Sequence, residues 1–262
     1  MGAAFASTPE PAAPDRPLWE VGAVSMALSQ QAYPGSDEQV NRVLLLPYFF
    51  YRGEVLRADG ETTGLRAVKT PKLEIDIGLA AALGAGNDGL EARRGMPKLG
   101  TLLEFGPRLK WNLTPDAPNR WRIELPLRGV FDASDGFSNK GFAFEPELQV
   151  ERRLGQGWNL TAGASMVWGN RKLADTFYGV APIYATPGRA AYSAGAGLIA
   201  SRLQAGFSKV LTPDWRLFGF VRAETVAGAA NRDSPLVRRT SGTSVGIGVS
   251  YRAFASSNAG VR

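Results

Sequence analysis

Leu103-Glu104-Phe105-Gly106-Pro107-Arg108-Leu109-Lys110-Trp111-Asn112-Leu113 alternates between two chemistries. Leu103, Phe105, Pro107, Leu109, Trp111 and Leu113 fall on one parity, Glu104, Arg108, Lys110 and Asn112 on the other. Successive side chains of an extended strand point to opposite faces, so one face of this segment is apolar and the other charged. Eleven residues of this kind suffice to cross the hydrocarbon of a bilayer, which a tilted strand does in about 9–11 residues.

The pattern recurs along the chain. Leu73, Ile75, Ile77, Leu79, Ala81 and Leu83 oppose Lys72, Glu74 and Asp76, and Trp121, Ile123, Leu125, Leu127 and Phe131 oppose Arg122, Glu124 and Arg128. Strands are expected over 18–30, 42–51, 72–83, 101–113, 120–132, 141–152, 158–168, within 192–211, over 215–225 and over 243–254, with a weaker hairpin, 54–59 and 64–69, around Asp59-Gly60. Short turns near residues 52, 70, 116, 156 and 213 alternate with long connections at about 32–40, 84–100, 133–140, 169–190 and 226–241. That asymmetry, short turns on the periplasmic side and long loops outside, is the arrangement of outer-membrane barrels. The expected fold is therefore an all-β transmembrane antiparallel β-barrel of about twelve strands, or ten if the weak hairpin does not span, porin-like in architecture.

Five of the six tryptophans, Trp19, Trp111, Trp121, Trp158 and Trp215, stand where a strand meets a short turn, the place of an interface girdle. A soluble barrel or sandwich with its apolar face inward would alternate in the same way; the tryptophan level, the loop asymmetry and the strand number favour the membrane.

The 262 residues carry 21% charged side chains at a mean hydropathy of −0.13, as expected when only alternate residues meet lipid. There is no run of about 18 apolar residues, the minimum for a spanning helix. The longest apolar stretch, Val43–Tyr51, is interrupted by Pro47. With neither cysteine nor histidine in the sequence, thiolate or imidazole metal sites and Ser-His-Asp or Cys-His nucleophile machinery are excluded. No enzyme activity and no cofactor are expected. A net charge of +6 suits acidic surfaces such as outer-membrane lipid and lipopolysaccharide. The basic residues are scattered among acids, so nucleic acid is not an expected partner.

Opposing Trp111 with Trp121 sets Arg108 across from Glu124 and Glu104 across from Arg128 on the inner face. Such pairs contribute roughly 0.2–1 kcal/mol each. A lumen charge ladder is expected from Glu104, Arg108, Arg122, Glu124, Arg128, Glu145, Glu147, Arg216, Arg222 and Glu224, filling the bore and opposing a wide diffusion channel. Glu145 and Glu147, two apart on one face, are spaced like paired glycosidase acids, but lumenal structural charge is the favoured role.

Residues 1–17 are expected to form a flexible periplasmic leader, 18–254 the barrel and 255–262 a C-terminal tail. Met1–Ser7 lacks the basic and long apolar regions of an intact secretion signal, although Ala4-Phe5-Ala6 resembles the small-x-small end of one, as though the gene start were shortened or a signal removed. Near the other end Val245, Ile247, Val249 and Tyr251 keep the outward rhythm, and Phe254 falls on the opposite parity. Either Ala253 takes the final outward slot or a bulge sits at Arg252-Ala253.

Several phrases together resemble the MipA/OmpV family: Tyr33-Pro34-Gly35-Ser36-Asp37, Leu46-Pro47-Tyr48-Phe49-Phe50-Tyr51-Arg52-Gly53, Gly95-Met96-Pro97, Leu103–Leu109, Phe177-Tyr178-Gly179-Val180, Gly228-Ala229-Ala230-Asn231, Ser234-Pro235-Leu236 and Gly246–Tyr251. The resemblance implies the outer membrane of a Gram-negative bacterium. It also implies a scaffold that joins a lytic transglycosylase, a murein hydrolase, to a penicillin-binding murein synthase in peptidoglycan assembly. It brings no catalytic motif. The alternatives are a small-solute channel and a surface adhesin or antigen. In the loops, Arg93, Arg94 and Lys98 are expected on a solvated segment near lipopolysaccharide phosphates rather than in a glycan site. Phe177, Tyr178, Ile183 and Tyr184 are expected to fold into the barrel mouth rather than form a partner patch, and Arg232, Asp233, Arg238 and Arg239 to serve loop electrostatics.

Overall fold

The computed structural model describes residues 17–52, 56–58, 63–82 and 90–258. The leader up to residue 16, the turn of the weak hairpin, the start of the 84–100 loop and residues 259–262 lie outside the described residues. Ten long or paired segments and two short ones form a single antiparallel sheet. In chain order they are β1 (Trp19–Gln31), β2 (Gln39–Arg52), the short β3 (Leu56–Ala58) and β4 (Thr63–Lys69), β5 (Leu73–Ala82), β6 (Leu102–Asn112), β7 (Asn119–Asp132), β8 (Ser138–Phe144) with β9 (Glu147–Arg153), β10 (Trp158–Gly169), β11 (Gly197–Val210), β12 (Trp215–Thr225) and β13 (Ser241–Ala255). With β8 and β9 taken together, each strand pairs with its neighbour in sequence, and β13 pairs with β1, so the sheet closes on itself.

β8 and β9 are one wall strand. Leu127 pairs with Phe144 and Glu124 with Glu147 in continuous register, with only Glu145-Pro146 between the two segments. Prolines cause the gap: Pro146 has no N–H to donate, and neither has Pro126 opposite. Counted this way the wall has twelve positions. Its thinnest described seam is β2–β3, which shares two residue pairs.

The faces follow the alternation. Val43, Leu45 and Phe49 of β2, Phe105 and Trp111 of β6, Leu127 of β7, Leu203 of β11 and Ile247 of β13 are exposed on the outside. Asp76, Lys110 and Ser165 are buried on the other face. Trp19, Trp111, Trp121 and Trp215 are exposed at the strand ends next to short turns, and the Trp215 ring lies 4.8 Å from that of Tyr251. Trp158 stands at the same end of β10, half-buried against Phe207, with Lys209 Nζ 4.8 Å from its ring centre.

Turn chemistry sets the register. Thr-Pro opens three of the short turns, at 70–71, 114–115 and 212–213. Each threonine hydroxyl accepts the N–H of a residue where the next strand begins: Leu73, Trp121 and Trp215 respectively. At the β9–β10 turn, Gln156 and Gly157 both take positive φ, the backbone of a type I′ hairpin turn. The expected alignment of Trp111 with Trp121 is corrected here. Trp111 pairs with Ile123 and Arg108 with Pro126, a slip of two residues. Its cause is Thr114, whose hydroxyl takes the Trp121 N–H at 2.8 Å and donates to the Asn119 carbonyl, which lengthens the turn. An even slip leaves every side chain on its expected face. At the C-terminal end the structure adopts the bulge. Pairing steps from Gly22–Arg252 to Val21–Phe254, which skips Ala253 and turns Phe254 outward.

The long loops form a second core above the sheet. Tyr33 after β1, Leu90, Met96 and Leu99 before β6, Val180 beyond β10 and Leu236 before β13 pack together, with Phe177, Tyr184 and Tyr192 at the margin. A short helix, α1 (Arg171–Tyr178), is capped by Asn170, whose side chain accepts the Leu173 N–H, and seats Tyr178 fully buried against the wall. Polar pins tie the loops together. Tyr33 Oη donates to the Leu236 carbonyl at 2.8 Å, Arg93 Nη1 to that of Phe177 at 3.1 Å, and Arg189 Nη1 to those of Ala92 and Arg94 at 3.0 Å. These loops leave the ring at separated points, so their contacts span the mouth.

Two outcomes follow. Leu45→Arg, at a lipid-facing site in the middle of β2, should destabilise the barrel by about 2–4 kcal/mol in reversible urea unfolding from liposomes. Burial pushes the Tyr33 hydroxyl from its ordinary 10.0 up to about 12, against the opposing pull of Arg93. The neutral phenol is the native form, so its contribution to the cap is complete below pH 10 and is lost as pH rises through about 12. Limited proteolysis of the outer loops should accelerate across that window, and Tyr33→Phe should abolish the pH dependence.

Candidate functional site in the bore

Two ion networks line part of the inner wall. In the one nearer the short turns, Arg108 grips Asp76 with two parallel bonds of 3.0 Å, Nε to Oδ1 and Nη2 to Oδ2. Lys110 Nζ lies 3.1 Å from the same carboxylate and 3.3 Å from Glu74. Arg108 also reaches Glu124 at 3.5 Å, Glu124 lies 2.9 Å from Arg122 Nε, and Arg122 Nη2 donates to Gln149 at 2.8 Å. In the second network Arg128 Nη1 lies 3.1 Å from Glu104 and 3.3 Å from Glu145. Glu145 also accepts from Arg202 at 2.8 Å and from Ser165 Oγ at 3.2 Å, and Arg202 Nε donates to Glu224 at 2.6 Å. Glu147 accepts from Gln204 Nε2 at 2.6 Å.

Of the residues expected on the inner face, Glu104, Arg108, Arg122, Glu124, Arg128, Glu145 and Glu224 are joined by ion pairs. The pairs Arg108–Glu124 and Arg128–Glu104 form despite the slipped register, because a long arginine side chain spans the diagonal to a neighbour two residues away. Glu147 joins through an amide. Arg216 stands exposed at the turn end of β12, opposite Ser250. Among the described residues Arg222 has no ion-pair partner; its guanidinium lies 5.9 Å from the Phe220 ring. Arg202, Gln204, Gln149 and Ser165 are central and were missed. The cue was available in the alternation of Arg202 and Gln204 with Leu203 and Ala205.

A wholly ionic interior is also corrected. Register carries the inner face from Arg202 to Glu224, and along β12 to Arg222, Phe220 and Phe218. Across β13, Phe220 faces Gly246 and Phe218 faces Gly248, which in turn pair with Leu28 and Met26 of β1. Met26 pairs with Leu44, Val24 with Leu46, Gly22 with Tyr48 and Glu20 with Phe50 of β2. The middle of the inner wall over β12, β13, β1 and β2 is therefore largely apolar, with Arg42 on the loop side of Leu44 and Glu20 3.9 Å from Arg252 at the turn end. The Phe220 and Phe218 rings lie over Gly246 and Gly248, where an added Cβ would come within 2.4 and 2.7 Å of them. Val43–Tyr51 carried this signal, being apolar at both parities. A void of about 1000 Å³ along β9 to β13 is bordered by Ser165, Arg202 and Glu224 and by the outward-facing Leu148, Met166 and Leu203.

The outer loops also depart from expectation. Arg93, Met96 and Leu99 are buried while Arg94 and Lys98 are exposed, so 91–100 is packed on one side and solvated on the other, and burial lowers the pKa of the Arg93 guanidinium. Tyr178 is buried and Phe177 half-buried in the cap, Tyr184 sits at its margin and Ile183 is exposed. Arg232 lies 3.6 Å from Asp233, Arg238 4.0 Å from Asp37, and Arg239 borders the void.

Comparison with known proteins adds identity to this geometry. No curated protein sequence matches the chain. Among solved structures, the NanC porin has a TM-score of 0.43 at 11% identity, over 87% of this chain and 98% of that one. The translocator domain of the autotransporter NalP from Neisseria meningitidis gives 0.42 at 11%, over 90% and 88%. An outer-membrane channel from Pseudomonas putida F1 gives 0.39 at 11%, over 93% and 99%. Likeness this loose carries nothing about cargo or partner. The family described as MltA-interacting protein MipA matches residues 21–253, nearly the whole closed sheet. With its apolar exterior, paired charges inside and short and long connections at opposite ends, the chain belongs to the MipA family, a non-enzymatic β-barrel of the Gram-negative outer membrane.

Proposed function

We propose that this barrel is a scaffold of peptidoglycan assembly, bringing a lytic transglycosylase together with a penicillin-binding murein synthase at the inner surface of the outer membrane. The observation that carries this is the family match, whose name is that of a transglycosylase-interacting protein, over residues 21–253. The geometry is consistent with it. Loops from separated parts of the ring pack across the outer mouth through Tyr33, Arg93 and Arg189. Glu104, Arg128, Glu145, Arg202 and Glu224 form a charge curtain down one wall. Both features oppose free diffusion and leave the periplasmic end as the working surface. In this scheme Trp19, Trp111, Trp121, Trp158 and Trp215 anchor the inner interface, and the leader over residues 1–17 and the short turns offer the docking surface.

A small-solute channel is the second reading, favoured by the closed ring of strands whose inner face carries Arg202, Gln204 and Glu224. Lipid and lipopolysaccharide surround the barrel in either case.

Pull-down from envelope extract should recover the lytic transglycosylase and the penicillin-binding protein above the level seen with an unrelated barrel; equal recovery would count against the scaffold. Planar-bilayer recordings should be silent for the intact chain. Steady conductance that Arg189→Ala leaves unchanged would favour the channel instead.

A further inference from the structure

Arg222 is an inward-facing cation with its partners already taken. The nearby carboxylates are engaged: Glu224 by Arg202, Glu145 by Arg202 and Arg128, and Glu147 by Gln204. Among the described residues no carboxylate lies within ion-pair distance of Arg222, and its buried Nε has no acceptor. An N–H withdrawn from water without an acceptor is unfavourable. Its planar fork matches the two oxygens of a carboxylate.

What adjoins Arg222 is apolar. Phe220 and Phe218 follow it on the same face of β12, flattened onto Gly246 and Gly248. Beyond them lie Met26 and, paired to it, Leu44. Leu46, next on that face of β2, points into the ring yet keeps 49% of its surface uncovered. The two phenylalanines alone extend the stripe by about 14 Å from the Arg222 backbone, at ~3.4 Å per residue. The opposite wall carries the ion networks, so the apolar surface offered to a chain lies along β12–β2.

We propose that the bore binds a single-chain anionic amphiphile, a fatty-acid carboxylate, with its head on Arg222 and its chain along Phe220, Phe218, Met26, Leu44 and Leu46. The Arg222 guanidinium matches one negative head, and the uncovered strip matches one chain. The site lies inside the wall and is independent of murein-enzyme docking, so a failed pull-down leaves it standing.

The test is equilibrium binding of radiolabelled laurate to the full chain in an uncharged detergent, with native mass spectrometry for stoichiometry. One laurate per barrel is expected. Dodecanol and dodecyltrimethylammonium should compete at least ~10-fold more weakly than unlabelled laurate, a loss of the size that one charge-assisted contact supplies. Arg222→Gln should weaken laurate by a similar factor, Arg222→Lys should recover part of it, and Arg232→Gln in the outer loops should change nothing. Leu46→Gln should weaken laurate and dodecanol alike, which separates chain contact from head contact. The heat-dependent gel shift of the folded barrel controls for each variant. If Arg222→Gln does not fold, the head-group series on the natural chain decides. The proposal is overturned if the three amphiphiles compete equally, if a folded Arg222→Gln binds as the natural chain does, or if co-purified phosphatidylglycerol stays on the protein and laurate does not displace it.

Discussion

A backbone crossing hydrocarbon has no water to satisfy its N–H and C=O groups, so each must find a partner within the protein. The closed ladder from β1 round to β13 meets that requirement, and the other features of the molecule follow from it. Closure gives every strand an inside and an outside, and alternation then sends Leu45 to lipid and Asp76 to the interior. Where proline removes a donor, at Pro126 and Pro146, the wall strand loses its regular pairing yet keeps its register, and Glu145 at the break serves both Arg128 and Arg202.

The interior combines two solutions to the same problem. From β5 to β12 charged side chains neutralise one another. Asp76 is fully covered and meets three bonds from Arg108 and Lys110. Removing one partner of so buried a cluster would strand the others, an effect of about 3–5 kcal/mol. From β12 round to β2 the middle of the inner wall is largely apolar, and Phe218 and Phe220 lie flat because glycines beneath them leave room. A bore with one ionic and one apolar wall differs from a uniformly charged one in what it can hold, and Arg222 stands where the two walls meet.

The outer loops make a distinct unit. Buried Tyr33, Met96, Tyr178 and Leu236, pinned by Arg93 and Arg189, give the mouth a small core of its own. It stabilises the loops against solvent and narrows access to the bore. The periplasmic end, by contrast, consists of Thr-Pro turns and an aromatic rim. The two ends therefore differ in chemistry, a packed polar-pinned cap at one and a short-turned aromatic rim at the other.

Much of this was legible in the order of residues. Period-two alternation over 101–113 and 120–132, tryptophans beside short turns and the alternation of loop lengths determined the barrel, its strand positions and which side chains face inward, because these depend on local geometry that each strand carries alone. Register, the identity of ion partners and the packing of the cap did not follow, because each depends on contacts between distant segments. Thr114 lengthened one turn by two residues and moved Trp111 from Trp121 to Ile123. Arg202 became the centre of a network only when β11 came beside β10 and β12. The double-sided apolar run Val43–Tyr51 was visible as a run, but its inner half acquired meaning only when closure placed it beside Met26 and within the same ring as Arg222. Sequence determined the faces; tertiary structure decided the neighbours, since a strand's own alternation sets direction while long-range closure sets what lies across.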